Sequence, residues 1–298
     1  MIKRTLYFTQ PAHLSTHKRQ LVATYPDSGE KKTAAVEDIG IILLEDHRIT
    51  LSHHLISSLL ENNVVLITCD SFHLPQGMLL NTTGSHTYQE QLRHQLSATE
   101  AFNNRLWQQT IRAKIKNQAS ILQQNSFPIE NMQRWADKVK PGDPDNLEGR
   151  AAANYWKLIF EDHLQSFKRG RFEGAPNNLL NYGYAILRAT VARALTGSGL
   201  LLAVGYHHSN KYNAYCLADD VMEPYRPFVD QLVLELVRSL DDYEQLTPAI
   251  KRELLKVPTL DVMIGGQKSP LMLAVQQTTS SLAKCYSGEL KQLKLPQL

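Results

Sequence analysis

Apolar residues in the first quarter of the chain form short runs that are typical of β-strands. The run Ile39–Leu44 is apolar apart from Gly40, and it predicts a strand buried on both faces. Residues 20–24 and 31–36 flank Pro26-Asp27-Ser28-Gly29, which predicts a turn between two strands. Further strands are expected at residues 2–9, 49–51 and 64–69.

One helix and one loop are predicted beside these strands. Ser52 is a good N-cap residue, and the apolar positions after it recur at helical spacing as far as about Asn62. Residues 77–85 are rich in loop-forming residues.

From about residue 86 the apolar spacing lengthens to that of amphipathic helices. The predicted helices cover residues 86–124, 129–139, 147–163, 179–195, 224–240 and 270–286. The fold class is therefore α+β. We expect a small N-terminal β domain at residues 1–78, a linker at 79–85, and a larger all-α domain at 86–298.

Composition supports a folded, intracellular protein. The chain has 298 residues, of which 43% are hydrophobic, so a substantial core is feasible and two domains are favoured. Its three cysteines form no CxxC pair, which suits the cytoplasm. The first residues lack a signal-peptide pattern, and the apolar runs are shorter than the roughly 20 residues that a bilayer requires. The net charge of +3 neither requires nor excludes nucleic acid.

Residues 205–227 contain the densest group of chemically capable side chains. His207, His208, Asp219, Asp220 and Glu223 lie just before a predicted helix. Asp220 and Glu223 have the spacing of a capping box, which would make them structural. The paired histidines have no place in that interpretation, because a helix cap needs no imidazole.

A second acidic segment leaves the same two interpretations open. Asp145 and Glu148 are three residues apart at another predicted helix start. Acids at helix N-termini stay ionised, and a hard divalent ion requires ionised carboxylates. Two carboxylates and one imidazole would hold such an ion and leave open positions for water and phosphate oxygens.

Motifs in residues 147–227 together resemble a known family, and each alone is weak. They are Leu147-Glu148-Gly149 with Ala152 and Tyr155-Trp156, Leu180-Asn181-Tyr182-Gly183-Tyr184, and Gly205-x-His-His208 followed by Leu217-Ala218-Asp219-Asp220-x-x-Glu223-Pro224-x-Arg226-Pro227. The chain resembles the CRISPR-associated integrases that acquire spacers, and its last motif is similar to the branch found beside type II effector nucleases.

The resemblance implies a metal-dependent DNA integrase and endonuclease, in which a DNA 3′-hydroxyl attacks a phosphodiester of the CRISPR repeat. It places a divalent metal, Mg²⁺ or Mn²⁺, on Glu148, His208 and Glu223. His207, Asp220, Asn154 and Tyr155 would support these ligands or line the site, with core packing the favoured role for Tyr155. It also implies a homodimer joined through the β domains, with two dimers bridged by a dimer of a small ferredoxin-like partner into a heterohexamer. Contact with the effector nuclease is left open.

Basic residues suggest a path for double-stranded DNA. The candidates for phosphate contact are Arg226, Lys211 and the cluster Lys168, Arg169 and Arg171. Arg112, Lys114 and Lys116 are close together on the long predicted helix, although a solvated helix face would also explain them. A non-catalytic DNA-binding scaffold is the alternative function, and a hydrolase of small phosphorylated substrates is a third. Metal-dependent DNA joining would distinguish the integrase from both.

Overall fold

A computed structural model describes residues 3–82, 85–164, 167–170 and 172–298. Its N-terminal part contains strands and one helix. They are β1 (Arg4–Phe8), β2 (His13–His17), β3 (Gln20–Thr24), β4 (Lys31–Ala35), β5 (Ile39–Leu44), β6 (Thr50–Leu51), α1 (His53–Glu61), β7 (Val65–Cys69) and β8 (Pro75–Leu79).

The N-terminal strands form two sheets. One has the order β1-β5-β7-β8, with the first three strands parallel and β8 antiparallel to β7. The other has the order β4-β3-β2-β6. All six residues of β5 are buried, as predicted. Successive side chains of a strand point to opposite faces, so Ile42 and Leu44 pack inside the N-terminal part while Ile41 and Leu43 join the core of the helical part.

The rest of the chain is mostly helical. Its helices are α2 (Tyr88–Leu96), α3 (Glu100–Gln124), α4 (Glu130–Lys138), α5 (Leu147–Leu158), α6 (Asn177–Gly197), α7 (Cys216–Met222), α8 (Arg226–Ser239), α9 (Pro248–Leu254) and α10 (Leu271–Tyr286). A three-stranded antiparallel sheet accompanies them, formed by β9 (Asp261–Ile264), β10 (Gln267–Pro270) and β11 (Pro296–Gln297). The α+β class is confirmed. The expectation that residues 86–298 are all-helical is wrong, because they include this three-stranded sheet.

Several predicted element boundaries differ from the structure. The long helix expected at residues 86–124 is two helices, because Thr99 caps a new helix by accepting a hydrogen bond from the backbone of Phe102. The helix expected to reach residue 163 ends at Leu158. Strand β2 was not predicted, and β8 occupies part of the expected loop. By contrast, α1 begins after Ser52, whose hydroxyl accepts from the backbone of Leu55 as the pattern indicated.

Helices α3 and α6 lie at the centre of the larger core. Trp107 and Ile111 of α3 and Leu187 of α6 are buried there with residues of β5 and β7. The sheet and the helices thus share one core, and the proposed domain boundaries at 78 and 86 stay a prediction. Cys69, Cys216 and Cys285 are free and buried. Within the described ranges, the helices are all too short or too polar to cross a membrane.

Candidate active site

Three helical elements bring two acids and one lysine together. Glu148 lies in the first turn of α5, Glu223 lies in the short 3₁₀ turn between α7 and α8, and Lys114 lies in the middle of α3. The Lys114 Nζ is 2.6 Å from Oε1 of Glu148 and 2.6 Å from Oε2 of Glu223. The two carboxylates therefore converge on a single point, and the ammonium group occupies it.

The start of α5 leaves the Glu148 side chain free of any capping role. Asn146 is the N-cap, and its side chain accepts from the backbone of Gly149. Asp143 accepts from the backbone N–H groups of Leu147 and Glu148. The proposed cap by Asp145 is therefore wrong by one residue, and the carboxylate of Glu148 is directed to Lys114.

Glu223 is almost completely buried yet ionised. Its residue is 5% exposed, and its Oε1 lies 2.9 Å from Nε of Arg226. Burial alone would raise the pKa of this carboxyl group, but the positive charges of Arg226 and Lys114 outweigh it and lower the pKa to about 2. The other oxygen, Oε2, is buried and faces the Lys114 ammonium as an ion pair at 2.6 Å.

Asp220 is not the helix cap that its spacing suggested. It lies inside α7 and is 0% exposed. One carboxylate oxygen accepts from the backbone N–H of His207 at 2.9 Å, and the other accepts from that of His208 at 3.1 Å. A Cβ at Gly205 would lie 2.6 Å from the Asp220 carboxylate, so only glycine lets the loop approach this closely. Asp220 thus fixes the loop that bears both histidines.

The two imidazoles lie against the same residue. The His207 ring stacks on Trp107 at 3.8 Å between ring centroids, and the His208 ring meets Trp107 edge-on at 5.7 Å. The segment that bears them is a loop, and both rings meet this one tryptophan. Nδ1 of His208 lies 2.5 Å from Asp220, and this hydrogen bond raises the His208 pKa, whereas burial lowers the pKa of His207.

The donor set suits a hard or borderline divalent cation, but the arrangement is not closed around one. Two carboxylates converge, one of their oxygens is buried beside the Lys114 ammonium, and the charge of His208 acts on that of Glu223. Because Nδ1 of His208 is engaged by Asp220, Nε2 is the nitrogen that would bind a cation. Among the described residues, no three His, Cys, Asp or Glu side chains are gathered closely enough to hold an ion as they stand.

A cavity of about 740 Å³ lies beside this group of acids and is lined by basic and aromatic side chains. Arg169, Arg188 and Arg226 all contribute to its wall. The guanidinium of Arg226 lies over the Tyr184 ring at 4.7 Å, and that of Arg169 lies over the same ring at 5.3 Å. Asp219 pairs with Arg188 at 2.7 Å. The cavity therefore presents positive charge next to Glu223.

The other predicted DNA contacts are dispersed. Lys168 is exposed and pairs with Glu173, whereas Arg169 is held by the side-chain amides of Asn177 and Asn181. Lys211 is exposed, with its ammonium over the Tyr212 ring. Arg171 lies outside the described residues.

The two further candidates near the site, Asn154 and Tyr155, both lie on α5. Tyr155 is 0% exposed, and its hydroxyl donates to Asp230, so it belongs to the core rather than to the surface of the site. Asn154 is partly buried in the middle of α5.

Lys114 is the residue that sequence reasoning misplaced. The sequence places Lys114 with Arg112 and Lys116 on a helix face that contacts DNA or solvent. In the structure Lys114 is only 9% exposed, and its ammonium contacts the two acids. Its position gives a usable signal, because it lies seven residues after the buried Trp107 on the apolar stripe of α3. A lysine inside such a stripe needs a buried acid.

Comparison with known proteins identifies the family. Residues 6–246 match the model of "CRISPR associated protein Cas1". The chain is 36% identical over 301 residues to the CRISPR-associated endonuclease Cas1 of Neisseria meningitidis serogroup C (strain 8013), covering 100% of this chain and 97% of that protein. The family match and this relative define a CRISPR-associated protein. The chain belongs to the Cas1 family.

Solved structures share this fold. A casposase bound to its integration product superposes with a TM-score of 0.79 at 20% identity, covering 98% of this chain and 92% of that one. A chain of a Cas6-RT-Cas1–Cas2 complex superposes with a TM-score of 0.74 at 18% identity, covering 97% of this chain and 35% of that one. At these identities the likeness concerns the fold.

Proposed function

We propose that the protein is a divalent-metal-dependent DNA endonuclease and integrase that inserts short DNA into a CRISPR array. The observation that supports this most directly is the convergence of the Glu148 and Glu223 carboxylates on one point, in a chain whose Neisseria relative is named an endonuclease. In this proposal Glu148, Glu223 and Nε2 of His208 hold Mg²⁺ or Mn²⁺. When bound, the cation stabilises the negative charge that develops on the phosphate.

The remaining chemistry belongs to the protein's own residues. Asp220 accepts the Nδ1–H of His208 and so leaves Nε2 as the nitrogen available to a cation. Arg226, held beside Glu223, is suited to a phosphate oxygen, because its planar guanidinium donates paired hydrogen bonds. A DNA 3′-hydroxyl gives up its proton to solvent as its oxygen attacks the repeat phosphorus. The bond to the leaving 3′-oxygen breaks, and the leaving oxygen takes up a proton from solvent, so one phosphodiester replaces another. Water in place of the 3′-hydroxyl gives cleavage instead of joining.

The experiment is joining of a labelled short duplex into a repeat-bearing plasmid with Mg²⁺ or Mn²⁺. Glu148→Gln and Glu223→Gln should each abolish joining, and Glu161→Gln, an exposed acid near the end of α5, is the matched control. Mn²⁺ should work at least as well as Mg²⁺, since Mn²⁺ accepts an imidazole ligand more readily. Full joining in EDTA would refute the metal dependence, and full joining by both acid variants would refute these residues as ligands. A wild-type protein that binds DNA but does not join it would be a non-catalytic DNA-binding scaffold.

The proposal also covers the assembly of the protein. A Cas1-containing chain of the same fold occurs in a complex with Cas2. We infer a homodimer joined through the N-terminal β domains, with two dimers bridged by a small ferredoxin-like partner into a heterohexamer. Membership of the type II branch and cytoplasmic location stay predictions. Native mass spectrometry of the protein alone and with the partner tests the stoichiometry, and a monomer at micromolar concentration would contradict it.

A further inference from the structure

The ammonium group of Lys114 occupies the point on which the two carboxylates converge. It lies 2.6 Å from each of Glu148 and Glu223, and its side chain is 11% exposed. Burial would lower the pKa of this lysine, but the two carboxylates more than offset burial and raise it. Lys114 is therefore a buried cation in contact with the same two carboxylates that our proposed function assigns to a metal.

The electrostatics explain why a cation is needed there before any metal arrives. Two ionised carboxylates close together in a buried site repel each other, and each is costly to bury without a partner. Lys114 and Arg226 supply two positive charges against the two negative charges of Glu148 and Glu223. The four groups are thus neutral as a set.

The two cations differ in how easily they can leave. Arg226 is held by its stacking over Tyr184 as well as by its ion pair with Glu223. Lys114 has a flexible four-carbon stem that ends in a compact charge, so its ammonium can withdraw without moving helix α3. Lys114 is therefore the cation that a divalent ion would displace from between the two carboxylates.

We propose that Lys114 is an internal counter-ion that gathers the Glu148 and Glu223 carboxylates, and that a divalent cation must compete with its ammonium for the same oxygens. This rests on the proposed function, in that these two acids are taken as the metal ligands. Lys114 is then a positioning residue for the acids. Metal binding becomes an exchange of one cation for another, which weakens the apparent affinity of the free protein.

The test is direct Mn²⁺ binding by titration calorimetry or by electron paramagnetic resonance, without DNA, together with thermal unfolding in EDTA and in Mn²⁺. Lys114→Met removes the charge and keeps the length of the stem, and Lys116→Met, exposed on the same helix, is the control for net charge. Glu148→Gln and Glu223→Gln report whether these acids hold the cation.

We expect Lys114→Met to melt lower than the wild type in EDTA and to bind Mn²⁺ roughly tenfold more tightly or better. A unit charge this close repels a divalent cation by more than a tenfold change requires, even at an effective dielectric constant of about 20. Mn²⁺ should raise the melting temperature of Lys114→Met more than that of the wild type. Lys116→Met should behave as the wild type does in all three measurements.

Each result decides between defined alternatives. If the acid variants lose Mn²⁺ binding but Lys114→Met binds no more tightly than the wild type, the exchange is refuted and the metal site stands. If both acid variants bind Mn²⁺ like the wild type, the metal ligands of the proposed function are wrong and the exchange fails with them. If Lys114→Met is unfolded in EDTA, Mn²⁺ should restore folding, and failure to do so overturns the proposal.

Discussion

The position of Glu223 depends on a buried amide on a different helix. Asn117 of α3 is 3% exposed, and its Nδ2 donates to the carbonyl oxygen of Pro224 at 2.8 Å and to that of Pro296 at 3.1 Å. Its Oδ1 accepts from the backbone N–H of Leu298 at 3.1 Å. One side chain therefore ties the turn that bears Glu223 to the C-terminal strand β11, which lies beyond the residues matched by the family model.

Asn117→Ala should destabilise the protein and slow DNA joining. It removes three hydrogen bonds, each with a net contribution of about 1 kcal/mol, and leaves buried backbone groups without partners, so we expect a loss of about 2–5 kcal/mol. Freeing the Pro224 carbonyl lets the adjacent Glu223 move away from Lys114. Because Asn117 is buried, the affinity for DNA should change little while the rate of the joining step falls.

Urea unfolding and single-turnover joining of a labelled duplex measure the two effects separately. Gln123→Ala, exposed near the end of the same helix, is the matched control. Deleting residues 296–298 should make Asn117→Ala much less costly, because two of its three partners are then already gone. The link between the Glu223 turn and β11 would be refuted if Asn117→Ala lost less than about 0.5 kcal/mol of stability. It would also be refuted if the stability losses of Asn117→Ala and of the deletion were additive when the two changes are combined.

Three further predictions follow from the site. Burial raises the pKa of Asp230 to about 7, above its value in the unfolded chain, so its contribution to stability should fall by up to about 4 kcal/mol between pH 4 and 7. In urea unfolding, Asp230→Asn should abolish that decline, and an unchanged pH profile would contradict it. His208→Ala should eliminate metal-dependent joining, whereas His207→Ala should reduce the joining rate about 10–100-fold. The reverse order would shift the ligand by one residue. Arg188→Met, in the wall of the basic cavity, should reduce the slope of log Kd against log salt by about one for double-stranded DNA, and an equal slope would exclude phosphate contact by Arg188.

Sequence periodicity predicted the elements whose burial is regular. Strand β5 and helices α1 and α10 were placed within a few residues, because one continuous apolar run or one apolar face determines each of them. Strand β2 was missed, since its sequence is mostly polar and the pairing with β3 and β6 that defines it is not recorded by hydrophobic spacing. Strand β11 has two residues and pairs with β9 more than 30 positions earlier, a contact that no local pattern records.

The candidate site shows the same division between local and distant signals. The segments holding Glu148, His208 and Glu223 were found by resemblance, and their assignment as metal ligands stays a prediction. The spacing of Asp220 and Glu223 suggested a local cap, but the partners of Asp220 are backbone amides 12 and 13 residues earlier. Lys114 lies 34 residues before Glu148, so the local sequence pattern cannot show that their side chains meet when the helices pack.

Pairing of buried charge determines which substitutions can test the chemistry. Asp219, Asp220 and Glu223 are each buried, and each has a basic partner from another part of the chain or from the next helical turn. Removing one partner of a buried pair costs about 3–5 kcal/mol, because the other charge is left uncompensated. An alanine at Glu223 would therefore weaken the fold as well as the proposed metal site. Glutamine keeps the shape and one acceptor oxygen, so loss of joining by a folded Glu223→Gln protein would report on the carboxylate charge itself.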